Sequence, residues 1–157
     1  MIRIENLKEV ENFPGRVRFK LDDAASGTLD AVSEALSQSL DEYGIPYTLQ
    51  FDEVESGGLF SKQRERCLCI INPQHVADYF KYCIRMSVTG NVAFATINYY
   101  GQSALTGKKN LEEDRKKSGS LGRMALGAIF KTDNSAFEAE YQYYDVVDEA
   151  IKDTFGI

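Results

Sequence analysis

Tryptophan is absent from this chain of 157 residues, histidine occurs once, and cysteine and proline occur three times each. Each scarcity excludes something. With His75 as the one imidazole, a nucleophile–histidine triad has a single place to form, and neither G-x-S-x-G nor H-E-x-x-H occurs. An odd set of cysteines, Cys67, Cys69 and Cys83, does not read as the even framework of a secreted disulfide scaffold. The opening "MIRIENLKEVENF" has no apolar signal-peptide core. No run approaches the ~20 apolar residues that span a bilayer. From these absences a reducing cytoplasm, with no membrane span, is the expected setting. Basic residues are the minority, 18 against 24 acidic, for a formal net charge of −6. Nonspecific nucleic-acid binding rests on phosphate neutralisation, so that balance disfavours it unless a basic patch is gathered locally.

What is present suits one globular domain with a short appendage. The chain is 43% hydrophobic and 27% charged, with nine Phe and nine Tyr. At this length about two thirds of the unfolded surface can be buried, so no disulfide or metal staple is required. "RVRFKLD" (16–22) alternates, with Val17, Phe19 and Leu21 on one side and Arg16, Arg18 and Lys20 on the other, which predicts a strand. Leu29, Val32, Leu36, Leu40 and Tyr43 recur at helical spacing between Thr28 as N-cap and Gly44 as C′ residue. "YTLQFDEV" (47–54) and "RCLCII" (66–71) predict a hairpin. Asn72-Pro73 reads as a helix start, with Val76, Phe80, Cys83 and Ile84 as the buried stripe and "TGN" (89–91) as the stop. "VAFATINYY" (92–100) predicts a further strand.

The order β-α-β-β-α-β over residues 1–100 spells an α+β, ferredoxin-like (βαββαβ) four-stranded antiparallel sheet. Many unrelated functions share that fold, so it assigns no activity. Residues 101–120 read as a polar, mobile loop. Residues 121–157 read as a C-terminal helical appendage packed on the core or on a second subunit. Its last helix is expected over 136–154, opened by the Ser135/Glu138 capping-box spacing and striped by Phe137, Tyr141, Tyr144, Val147, Ile151 and Phe155.

Four clusters are candidates for function. "ESGGLFSKQRE" (55–65) carries glycines, a serine and a lysine. It lacks the phosphate-loop spacing and leads into a strand, so no helix N-terminus faces an anion there. It reads as a hairpin connection whose apolar tip, Leu59 and Phe60, packs on the body or on a partner. Cys67, Cys69, His75 and Cys83 offer soft metal ligands, but their spacing matches no familiar zinc module, and free cysteine behaves as a small buried hydrophobe. Core packing is the reading taken, with metal as its alternative and no cofactor expected. No carboxylate pair shows a reason for a shifted pKa. An enzyme therefore ranks third, its site being one that sequence does not display. The fourth cluster is a row of cations, Arg16, Arg18 and Lys20, standing on the sheet face opposite the helices and joined by Arg66 from a neighbouring strand. Such a row is either solvated or met by anions. The leading expectation is a non-catalytic interaction or regulatory module, associating with a protein partner or with itself through this face and the last helix. An RNA- or nucleotide-binding protein using the same face is the alternative, although the RNP1 pattern of an RNA-recognition sheet is missing.

Overall fold

The computed structural model describes residues 1–10, 12–13, 15–20, 27–75, 79–101 and 134–157, the first four residues of the last segment by backbone alone. The chain divides into two compact units, Met1–Gly101 with Asp148–Ile157, and Gln102–Val147. The first unit is built on a seven-stranded mixed sheet that curls into a half-barrel. Its strands are β1 (Ile2–Arg3), β2 (Lys8–Glu9), β3 (Arg16–Lys20), β4 (Thr48–Ser56), β5 (Gln63–Ile71), β6 (Phe80–Thr89) and β7 (Val92–Gly101), with helix α1 (Leu29–Tyr43) between β3 and β4. The spatial order is β1-β4-β5-β6-β7-β2, and β3 also pairs with β7. This replaces the four-stranded antiparallel ferredoxin-like sheet expected from sequence.

The correction has one main cause. Residues 80–89, read as the second helix, form β6, which pairs antiparallel with β5 and with β7. Asn72-Pro73 opens a turn, not a helix. The Asn72 carboxamide oxygen accepts from the Gln74 amide at 3.0 Å, and its carbonyl accepts from the His75 amide at 3.0 Å. Both faces of β6 are covered over Phe80–Ile84, so the apolar/polar alternation of a strand is erased there. Phe80, Cys83 and Ile84 then fall by coincidence at helical spacing.

Where local signals are strong the chain follows them. The Thr28 side chain caps α1 by accepting from the Ala31 amide at 3.2 Å, and Gly44 takes the left-handed conformation (φ 67°) that ends it. Val32, Leu36 and Leu40 are buried. The β4–β5 hairpin forms as expected, from Thr48 opposite Ile71 to Ser56 opposite Gln63.

The amino-terminal segment explains the curl. β1 lies parallel to β4, whereas β2 lies on β7 at the far edge. Five strand spacings of about 4.8 Å make roughly 24 Å across a flat sheet. The five steps from Arg3 to Lys8 reach at most about 18 Å, and less here because Ile4–Asn6 form a 3₁₀ turn. A chain this short joins the two edges only as a chord across a curled sheet, so it passes over the concave face. β2 and β3 then run end to end along β7. Between Glu9 opposite Asn98 and Arg16 opposite Thr96 only Ile97 remains on β7, and Val10 and Phe13 from the intervening stretch are buried.

The last helix, α2 (Asn134–Phe155), passes through both units. In the first unit Ala150, Ile151 and Phe155 are buried, and the Phe155 ring meets Phe19 with centroids 5.1 Å apart. Asn12 donates to the Asp148 carboxylate. In the second unit Tyr144 and Val147 are buried and Tyr141 is exposed, while burial pushes the Tyr143 phenol up to about 12. The predicted capping box at Ser135, and the loop and helical segment expected over 101–130 apart from Gly101, fall outside the described side chains and residues. Among the described residues no helix is long and apolar enough to cross a membrane.

Candidate functional site

The strand parity expected at residues 16–20 is present: Arg16, Arg18 and Lys20 are exposed, while Val17 and Phe19 are half-buried. Their setting differs from the expectation. β3 pairs with β7 alone among the described strands, so it is an edge, not a central strand. Arg16 stands opposite Thr96, and Thr96 stands opposite Arg85, which puts the row on the rim of the concave face. None of the three makes an ion pair with a described residue. Arg66 does not join them. It lies on β5, separated from β3 by β6 and β7, and on the other face. There its guanidinium forks onto Asp30 of α1 at 3.0 and 3.3 Å and covers the Phe51 ring at 3.8 Å.

The hairpin tip does not fold back. Leu59 is 93% exposed and Phe60 102%. The strands beneath are tied by Lys62 to Glu55 at 3.2 Å and by Arg64 to Glu55 and Glu53 at 3.5 and 3.8 Å. These contacts hold the Glu55 carboxyl below its ordinary range, the Lys62 hydrogen bond leading. Gly57, at φ 101°, makes the turn possible, because a Cβ there would fall 1.9 Å from the Ser61 carbonyl oxygen.

The concave face carries the chemistry. Cys67 and Cys69 are two apart on β5 and so point the same way. Cys83 of β6 stands directly opposite Cys69. Sequence reasoning found the first two as a pair but set Cys83 on a helix. The third sulfur reaches the others only because β6 is a strand. Sγ of Cys69 lies 3.9 Å from that of Cys67 and 3.7 Å from that of Cys83, and all three are essentially without solvent exposure. Ile2, Val54 and Ile71 pack around them, with Leu7 and Tyr100 against the cluster. Leu7 and Ile2 belong to the segment that crosses the concave side, so that segment roofs the sulfurs. His75, the fourth ligand considered, is not in the group. It sits half-buried in the turn after β5 with its ring edge-on to Tyr79.

Charge surrounds the sulfurs. Asp52 is the register partner of Cys67. The Lys81 ammonium is buried 3.5 Å from Asp52 and stands over the Tyr100 ring at 5.4 Å. Burial pushes the Asp52 carboxyl up, but hydrogen bonds from the Met1 amino group and the Glu53 amide, together with Lys81, outweigh it and hold the group below its ordinary value. Within the trio, Cys69 and then Cys83 favour a thiolate at Cys67, against burial and the Asp52 carboxylate. Cys67 raises Cys69, which Cys83 and Lys81 partly offset against burial, and Cys67, Cys69 and burial all raise Cys83. One strand position further along, Arg85 bonds Glu65 at 3.1 Å and the Asn98 carboxamide at 3.1 Å, and Asn98 donates to the Lys8 carbonyl at 3.2 Å.

No protein-family model matches this chain, and no curated protein and no solved structure was found similar to it.

Proposed function

We propose that this chain is a non-catalytic, self-associating interaction module, docking on a second copy of itself through the β4–β5 hairpin tip. The observation that carries this is the full exposure of Leu59 and Phe60, adjacent, on a hairpin braced by ion pairs. Leaving such side chains in water forgoes about 1.5–3 kcal/mol each, which docking recovers. The apolar side of the last helix, first considered for this role, is committed within its own chain at Ile151 and Phe155.

Charge favours a second copy as the occupant. β3 offers Arg16, Arg18 and Lys20 along an exposed edge, while α1 carries Asp30, Glu34, Asp41 and Glu42 with no Lys or Arg. One molecule therefore presents both halves of a complementary pair. Such rim charges set orientation and association rate more than strength. A reducing, cytoplasmic setting suits the three free thiols.

Light scattering over a concentration series tests this reading. The wild-type chain gives the mass of a dimer or larger closed assembly, and Leu59→Ser/Phe60→Ser gives a monomer with unchanged circular dichroism. Arg16→Glu/Arg18→Glu weakens association and flattens its salt dependence. A wild-type monomer at high concentration, or a double tip variant that stays assembled, contradicts it.

A further inference from the structure

All three cysteines of the chain, though they come from two strands, meet at one point of the concave face. Packing as small hydrophobes gives no particular reason for the whole complement to converge on one point. Three sulfurs bound to one ion at about 2.3 Å stand about 3.8–4.0 Å from each other. The Sγ atoms here are 3.9 and 3.7 Å apart along the two bonded contacts and all within 4.8 Å, so small rotations bring them onto one ion without moving the strands.

The donor set narrows the metal. Sulfur donors select Cu(I), Zn or iron–sulfur clusters. Zinc completes a tetrahedron with a fourth ligand, protein or water. Among the described residues no His, Asp or Glu joins the three sulfurs, so zinc would find no fourth protein ligand there. A d¹⁰ monovalent ion content with three sulfurs in a plane is the better match. We propose that Cys67, Cys69 and Cys83 form a trigonal, all-sulfur site for a soft monovalent cation, Cu(I).

Lys81, paired with Asp52 at 3.5 Å, places positive charge beside Cys69. The ion displaces thiol protons, so affinity rises with pH.

The test is an anaerobic titration of the full chain with Cu(I) against a chromogenic Cu(I) chelator, under reducing conditions. One Cu(I) per chain is retained, with sulfur-to-copper charge-transfer absorption. Cys67→Ala, Cys69→Ala and Cys83→Ala each weaken retention more than about a hundredfold, since even outer partners of a metal ligand are worth 10–100-fold. X-ray absorption on the loaded wild-type chain needs no variant and shows three sulfur neighbours without nitrogen or oxygen. Absence of stoichiometric binding, binding that survives all three substitutions, displacement of Cu(I) by equimolar Zn(II), or a first shell with fewer than three sulfurs overturns the assignment.

Discussion

Lys81 is a lysine 5% exposed inside a curled sheet, and the carboxylate 3.5 Å from it, Asp52, is itself pressed by burial. Removing that negative charge is costly because a buried ammonium loses an opposite charge at close range. Asp52→Asn lowers stability by about 3 kcal/mol, the low end for breaking a buried pair because Asp52 keeps some exposure, readable as a reduced urea midpoint at unchanged slope. Lys81→Met costs less, since it removes the charge that needed compensation and keeps the side-chain volume. The sign of the pH dependence follows from the direction of the Asp52 shift. Its folded pKa lies below its ordinary value of 3.8, so its stabilisation is fully present above that value and is lost as pH falls through the folded one. Wild type therefore loses stability more steeply than Asp52→Asn below about pH 4, and parallel acid-unfolding curves would contradict this. At the tip, Gly57→Ala forces a side chain into the Ser61 carbonyl at a positive φ, whereas Gly58→Ala meets nothing within 4 Å. The first lowers thermal stability and weakens self-association; the second changes neither.

Helix α1 was legible in the sequence because its ends are chemical: Thr28 and Gly44 bracket it and Val32, Leu36 and Leu40 stripe it. Thr28→Ala accordingly costs about 1 kcal/mol in equilibrium unfolding. The hairpin was legible for a similar reason, with Tyr47, Leu49 and Phe51 alternating with Thr48, Gln50 and Asp52, and glycines at its tip. β6 was not. Its first half is covered on both faces, so Phe80 to Ile84 show no alternation, and the Asn72-Pro73 pair that suits a helix start serves a turn equally well. The role of residues 1–15 was hidden for a different reason. Their strands are two residues long, and they make sense only once the sheet has curled enough for Arg3 and Lys8 to reach opposite edges. Candidate sites inherited these errors. Cys67 and Cys69 were visible as neighbours on one strand face, but Cys83 joined them only when β6 became a strand. Arg66 was assigned to a basic row on a neighbouring strand and lies instead under α1 with Asp30.

At the scale of the whole molecule, the net charge of −6 is unevenly distributed. Among the described residues, the helices carry acid, β3 carries base, and the two most exposed apolar side chains, Leu59 and Phe60, stand together at a hairpin tip. A surface of this kind assembles with itself when apolar docking is available to overcome the overall repulsion, and added salt first eases that repulsion while weakening the edge pairs. The absence of tryptophan makes the tip directly observable. Phe60→Trp places a single indole at the proposed contact, and its emission maximum is followed through a dilution series. Burial of the tip between two copies gives blue-shifted emission at high concentration that moves to the solvent-exposed value on dilution, in step with the fall in scattering mass. Emission that stays at the solvent-exposed value at every concentration contradicts docking through Leu59 and Phe60.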